Sequence, residues 1–502
     1  MTDQERPNFS IDRLELVDGI HAAEVDLLLD VKITNRSQED AENIPVLLLI
    51  NGQTQSNQTI PKLKAGEQTT PPVRFSVRLN GSGQHRIEVQ LQPDTIPDDN
   101  RRFLVLNVPE ALEVLLISPQ TTASDSSALY VRVALSPGGA KSGIRTRIEP
   151  PSFLTTKPLN PFNAVFLIDI PLLEPAAVKA LEEYVAKGGG VAFFPGQESN
   201  LDFLRNELYK NGTGLFPVAP IAETPLDPNF LTKTPDIAVS NHPIFRLFGE
   251  GESPLLGSVK IERYLGIEPI TPVKDPIQPP QSPQLPKILA TLRNGAPLVL
   301  EKEFGKGKTV TFLTTAAPVW NNWGRGNPGF VVVMLELAAW LSKRPNETLP
   351  VLVGDPINIS LDPTLFEQKF VMQRLSNETD STNFVLESVL REDAGASAVF
   401  SQTDQAGFYE AVLKEFSGNE VRKAFAVNVN AKEGDIFLSD VSKLSDLLRS
   451  ANQSLESAAG FSTAADFSGQ QPLTDFLLYA VLTLLIAETF LAGRIIPPLK
   501  SR

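Results

Sequence analysis

The side chains that could do chemistry in this chain are few. Cysteine is absent from all 502 residues, which removes thiol nucleophiles, disulfides, thiolate metal sites and cysteine-held clusters together. The three histidines, His21, His85 and His242, stand in no metal-ligand spacing. His85 falls on the apolar face of a predicted strand beside Ile87, where packing is the expected role. His242, in Ser240-Asn-His-Pro-Ile-Phe245, has the chemistry of a general base but no evident nucleophile nearby, and reads as a loop residue bonded to backbone. Asp94, Asp98, Asp99 and Asn100 gather the oxygen ligands that calcium takes, yet their spacing matches no EF-hand, and a solvated turn is the simpler expectation. Trp320 and Trp323 flank Asn321-Asn322 and could line a pocket; packing of this loop against a sheet is expected instead. Gly188-Gly189-Gly190 precedes a strand and so reads as a helix C-cap, not a phosphate cradle. There is no P-loop, no G-x-G-x-x-G and no G-x-S-x-G. No catalytic residue, cofactor site or metal site is assigned on this reading.

Charge narrows the partners further. With 45 basic and 59 acidic residues the net charge is −14, and no basic stripe offsets it. Nucleic-acid binding needs clustered Lys and Arg to displace condensed counterions, so that class is excluded. Hydrophobic residues make up 42% of the chain, enough for most of it to fold, and its length exceeds what one core usually supports.

The elements that would position these residues follow from periodicity. Val25, Leu27, Leu29, Val31 and Ile33 alternate with polar residues, and so do Val73, Phe75, Val77 and Leu79, then Ile87, Val89 and Leu91. Period two means half-buried strands, and residues 8–109 read as a β-sandwich of about seven. Near residue 110 the pattern changes to continuous apolar runs, Val114 to Ile117, Ala164 to Ile170 and Val191 to Phe194, separated by candidate helices from Ser126 to Leu135 and from Pro175 onward. Strands buried on both faces and alternating with helices imply a parallel sheet, so residues 110–346 read as an α/β domain. Residues 268–286 hold seven prolines and read as an extended loop. Ile288 to Leu292, Pro297 to Phe304 and Thr309 to Thr314 look like hairpins at the sheet edge, and Asn327-Pro328 caps a helix to about Lys343. A second small sandwich is expected over 347–432, then a short helix, Val441 to Leu448, and a Ser/Ala/Gly-rich tether filling 433–472.

Residues 476–493 form an apolar stretch interrupted by Glu488. Eighteen helical residues span about 27 Å at ~1.5 Å each, against a hydrocarbon core of ~30 Å. A single transmembrane helix is therefore expected over 473–494. Arg494, Lys500 and Arg502 follow it, which by the positive-inside rule puts the C-terminus in the cytoplasm and the large N-terminal part outside the inner membrane. Met1-Thr-Asp-Gln-Glu-Arg-Pro is no signal peptide, so either an upstream part carrying the export signal is missing, which is the expectation, or a tail anchor leaves the domains in the cytoplasm. Glu488 within the helix is costly unless it faces a partner or water, which makes it a candidate contact for assembly with other membrane helices.

Taken together, these segments resemble bacterial membrane proteins of the Bat aerotolerance type. Val31-Lys-Ile-Thr-Asn35, Leu63-Lys-Ala-Gly66 and Asp94 to Arg102 resemble the CARDB adhesion-type sandwich. Tyr184 to Gly190, His242-Pro-Ile-Phe245, Gly305 to Thr314 and Trp320 to Leu341 are similar to a class I glutamine amidotransferase-like domain, flavodoxin-like in fold; Gly407-Phe-Tyr409 and Phe425 to Asn428 are similar to the last sandwich. The resemblance implies an upstream von Willebrand A domain with a DxSxS metal motif, which this chain lacks. True class I amidotransferases use a cysteine nucleophile, so that activity is not expected here. The expected function is a non-enzymatic scaffold or protein-interaction module at the bacterial envelope, with other membrane or envelope proteins as partners and no cofactor. The rival is a ligand- or sugar-binding protein or hydrolase using the α/β pocket, which would need polar groups converging at the ends of strands 112–117, 164–170 and 191–194.

Overall fold

A computed structural model of the chain describes residues 8–121, 127–137, 142–229, 235–249, 254–270, 285–343, 351–375, 383–391, 395–431 and 479–488. Contacts divide the chain into one unit ending at Gly434 and a second from Asp435 to Arg502.

The first unit opens with seven antiparallel strands, β1 (Phe9–Leu16), β2 (Asp26–Asn35), β3 (Ala41–Ile50), β4 (Gln53–Leu63), β5 (Val73–Arg78), β6 (Gly83–Gln90) and β7 (Arg101–Val108). They form two sheets, ordered β1-β2-β5 and β4-β3-β6-β7. Alternation decides which side faces inward: Leu27, Leu29, Val31 and Ile33 of β2 meet Val46, Leu48 and Ile50 of β3 and Ile87 and Val89 of β6 in one core. The seven-strand sandwich inferred from periodicity is present.

Next comes an eight-stranded sheet. Its strands are β8 (Leu112–Ile117), β9 (Ile144–Glu149), β10 (Ala164–Ile168), β11 (Gly190–Phe194), β13 (Ile237–Val239), β15 (Lys287–Leu292), β16 (Pro297–Phe304) and β17 (Gly307–Phe312). A separate antiparallel pair is made by β12 (Pro220–Pro225) and β14 (Arg263–Ile267). Across the large sheet the order is β13-β15-β16-β17-β11-β10-β8-β9. The five strands from β17 to β9 are parallel; the other three are antiparallel. Continuous apolar runs behave as expected, since even-numbered Val114, Leu116 and Phe166 enter one core and odd-numbered Leu115, Val165 and Leu167 the other. Helices Ser127–Leu135 and Pro328–Ser342 cover the first face, and helix Pro175–Ala186 the second. The long helix starts where Asn327 accepts a hydrogen bond from Gly329 N at 2.7 Å.

One placement differs from the sequence reading. β17 is not at the edge: it lies between β16 and β11 in the sheet interior, parallel to β11. Its Thr309 and Thr311, which suggest a solvent-facing side, are fully buried, and the Thr309 hydroxyl donates to Leu215 O at 3.0 Å. Most of the proline-rich segment lies outside the described residues.

The unit ends in a five-stranded and a three-stranded sheet spanning residues 351–428, which share a core around Ile359, Met372, Phe400 and Tyr409. This block leans on the first sandwich. Asn428 receives Phe103 N at 2.8 Å on its side-chain oxygen and donates its amide to Phe103 O at 2.9 Å. The Phe103 and Phe408 rings meet edge to face at 5.1 Å. Asn428 thus acts as a partner for the outer edge of β7, a strand that would otherwise expose unpaired backbone.

In the second unit, residues 479–488 are helical, and all but Ala480 are exposed. No helix among the described residues is long and apolar enough to cross a membrane. The expected tether and the flanks of the expected span lie outside the described residues.

Candidate functional site

In open α/β sheets ligands bind beyond the C-terminal ends of the parallel strands, here the rim after Ile117, Ile168 and Phe194. The residue that follows β10 is Asp169, a non-glycine held at φ 50°. Its amide donates to Phe194 O at 2.8 Å, and its carboxylate accepts Glu198 N at 3.0 Å and the Ser199 hydroxyl at 3.1 Å. The Ser199 oxygen in turn accepts Gly196 N at 3.0 Å. A Cβ on Gly196 would stand 2.4 Å from Asp169 Cγ, so only glycine lets this loop close over the carboxylate. Burial pushes the Asp169 carboxyl above its ordinary range, against the pull of those donors. Sequence reasoning passed over this residue as part of an apolar run; the signal was an Asp breaking that run, with Gly and Ser in the loop after the next strand.

Little room is left beneath this loop. The space under the loop is a cavity of about 10 Å³, lined mainly by apolar side chains such as Leu167, Ile170, Phe193, Leu204 and Phe216. That is room for one water at most.

The three histidines fall apart from one another. His85 is 7% exposed, with Nε2 3.1 Å from Gly81 O, in keeping with a packed residue. His21 Nε2 lies 2.9 Å from Val17 O. His242 starts a short 3-10 turn, Pro243–Phe248, with Nδ1 accepting Ile244 N at 3.3 Å, as a loop residue bonded to backbone would. With Nδ1 turned to that amide, Nε2 faces Glu301 Oε2 at 3.4 Å. Glu301 also accepts the Trp340 indole N–H at 2.6 Å, and the Trp340 ring carries Lys308 Nζ 3.8 Å from its centroid. Burial resists ionisation of Glu301, but the bonds from His242 and Trp340 outweigh it and hold the carboxyl below its usual range. The cluster joins β16, β17 and the C-terminal end of helix Pro328–Ser342, and no serine or threonine hydroxyl among the described residues is bonded to it. The pairing of His242 with Glu301, 59 positions apart, left no local signal.

Trp320 and Trp323 are 3% and 2% exposed and belong to the cores on opposite faces of the large sheet, so they pack and line no shared pocket. Gly188 ends its helix at φ 108°, with its amide donating to Val185 O at 2.8 Å, which is the C-cap role. Glu488 lies at the exposed end of the described 479–488 helix.

The acidic loop of the first sandwich departs from expectation. Asp98 is exposed, but Asp99 and Asn100 are 5% and 1% exposed, so this is not a solvated turn. The reason is that the loop is tied into both sheets: Ile11 N donates to Asp99 O at 2.9 Å and Leu91 N to Asn100 O at 2.9 Å. Asp94 accepts Phe9 N at 2.6 Å and Ile96 N at 3.0 Å. Neither carboxylate oxygen of Asp99 has a hydrogen-bond partner among the described residues, although the Asn8 side chain stands close enough to favour its charged form. Burial, then the neighbouring charge of Asp94, pushes the Asp99 carboxyl up to about 6. No group of three His, Cys, Asp or Glu residues arranged for a metal occurs among the described residues. The oxygen donors around Asp99 are two carboxylates and amides.

No curated protein matches the chain. Among solved structures, the CARDB domain of a Pyrococcus furiosus protein, in complex with di-metal ions, is 18% identical, covering 22% of this chain and 98% of that one at a TM-score of 0.19. A cytoplasmic protein from Salmonella typhimurium LT2 is 17% identical over 46% of this chain and 99% of its own, with a TM-score of 0.33. A GH42 β-galactosidase from G. stearothermophilus is 12% identical over 64% of this chain and 40% of its own, with a TM-score of 0.28. At these values the likenesses assign no function. The CARDB family matches residues 6–100, the stretch that carries the first sandwich through the acidic loop, and this part of the chain is a CARDB domain.

Proposed function

We propose that this chain is a non-catalytic, membrane-anchored scaffold or protein-interaction module at the bacterial cell envelope. Residues 473–494 are its single span, with the large N-terminal part outside the inner membrane and the C-terminus in the cytoplasm. The observation that carries the non-catalytic reading is the loop that closes over the ends of β10 and β11. The carboxylate there, Asp169, is occupied by its own loop, and the space beneath holds about 10 Å³. A hydrolase or sugar-binding site needs a concave pocket of several hundred Å³, roughly 300 or more, with convergent polar groups; two cavities of that size, about 590 and 570 Å³, are not lined by Asp169, the first being lined by Glu24, Arg78 and Arg145 and the second by Tyr130, Val133 and Phe330. In this reading the parallel sheet is an amidotransferase-like domain of Bat-type proteins that offers surface, not chemistry. A CARDB domain at residues 6–100, of a kind found on cell surfaces, is in keeping with that. Support for the anchor is the apolar composition of 476–493 and the exposed helix at 479–488.

The test is carbonate extraction of bacterial membranes carrying either the full chain or one shortened to residue 472. The full chain is expected to stay in the pellet and the shortened chain to be released. Release of both would remove the anchor and, with it, the envelope placement.

A further inference from the structure

The acidic loop of the CARDB sandwich is the one place in the described molecule where a nearly enclosed carboxylate lacks a hydrogen-bond donor. Asp99 is 5% exposed, and both of its oxygens are without a hydrogen-bond partner among the described residues; so are both amide atoms of Asn100, which is 1% exposed. A buried carboxylate is strongly disfavoured unless something positive or hydrogen-donating meets it. The nearest cation does not fill that role. Arg36 influences Asp99 through space, but its guanidinium is committed to Asp12 at 3.0 Å and to the Ser10 hydroxyl at 2.6 Å. Asp94, the second carboxylate of the cluster, has each oxygen fixed by one backbone amide, which orients it while leaving lone pairs for another partner.

We propose that this cluster is a binding site for a hard divalent cation, calcium by preference, held by the carboxylates of Asp94 and Asp99 with the side-chain oxygen of Asn8. The donor set is all oxygen, which selects against zinc and other metals that favour nitrogen or sulfur. Calcium accepts irregular sets of carboxylate and amide oxygens and lets water fill its remaining positions, whereas magnesium demands near-octahedral geometry at shorter distances, which this irregular set does not offer. The position gives the cation a task. Asn8 precedes β1 of one sheet, Asp94 and Asp99 lie in the loop joining β6 to β7 of the other, and Asp99 O is already bonded to Ile11 N of β1. A bound ion would clasp the two sheets at this end of the sandwich.

Thermal unfolding of the purified full chain, stripped with chelator and then given CaCl2 or MgCl2 at pH 7, tests the assignment. Calcium is expected to raise the midpoint of the first sandwich by several degrees, roughly the effect of a ligand well above its dissociation constant, and magnesium to raise it less. The Asp99→Asn and Asp94→Asn variants are expected to lose the calcium response, while Asp98→Asn, altered at the exposed neighbour, keeps it. An unaltered chain that does not respond to millimolar CaCl2, by melting and by titration calorimetry, overturns the site. A response that survives in both Asp99→Asn and Asp94→Asn overturns it as well, by placing the ion elsewhere. Should either variant fail to fold, the calorimetric titration of the unaltered chain beside the other variant decides.

Discussion

Asp169 and Asp99 are carboxylates at the ends of β-structures, the first half-buried and the second enclosed, and in both burial raises the pKa. They differ in what meets them. Asp169 sits where an α/β sheet usually keeps its chemistry, yet a backbone amide and a hydroxyl from its own loop bind it. Asp99 sits in a loop that looks like surface, yet it is enclosed, and neither of its oxygens is hydrogen-bonded at normal geometry among the described residues. The contrast teaches that position in a fold says less about function than whether a buried polar group is already satisfied.

Replacing Gly196 with Ala presses a methyl group onto the Asp169 carboxylate and should strip it of its donors, making it resemble Asp99. Overpacking of this kind costs about 3 kcal/mol, and urea unfolding of the full chain should show a loss of that order in the unit that holds the large sheet. A loss below a few tenths would mean that the loop opens freely and does not close over the strand ends.

A smaller effect is expected from the other carboxylate. The folded-state pKa of Asp99 is raised from 3.8 to about 6, so the folded chain binds the extra proton more tightly. Without metal, its favourable contribution is complete below pH 3.8 and is lost as pH rises through 6. Asp99→Asn should flatten that part of the stability-pH curve and gain on the order of 2 kcal/mol at pH 7 in chelator. A curve unchanged by the substitution would show that Asp99 has a donor or cation even in the stripped protein. The smallest effect belongs to Asp98→Asn, the adjacent but exposed residue of the same loop, which should move stability by no more than about 0.5 kcal/mol.

Much of the fold was legible because one physical rule generated it locally. Alternation in β2, β5 and β6 and unbroken apolar runs in β8, β10 and β11 each report how many faces of a strand are buried, and those readings hold. β17 misled because its Thr309 and Thr311 imitate a solvent face while both are fully buried, the Thr309 hydroxyl donating to Leu215 O. The candidate sites were legible in part. Ser240 to Phe245 announced a backbone-bonded histidine, but nothing local could pair it with Glu301. The acidic loop announced oxygen ligands, but its burial depends on Ile11 and Leu91, residues that only tertiary structure brings to it. Asp169 was hidden because its partners come from the far end of the next β-α-β crossing.

The paired hydrogen bonds between Asn428 and Phe103 fasten the end of the folded unit back to the sandwich near its beginning. Mechanically this is a short circuit: tension entering just after Asn428 can pass directly into β7, bypassing the more than 300 residues between them along the chain. Under such a pull the large α/β sheet would lie in a side loop of the load path.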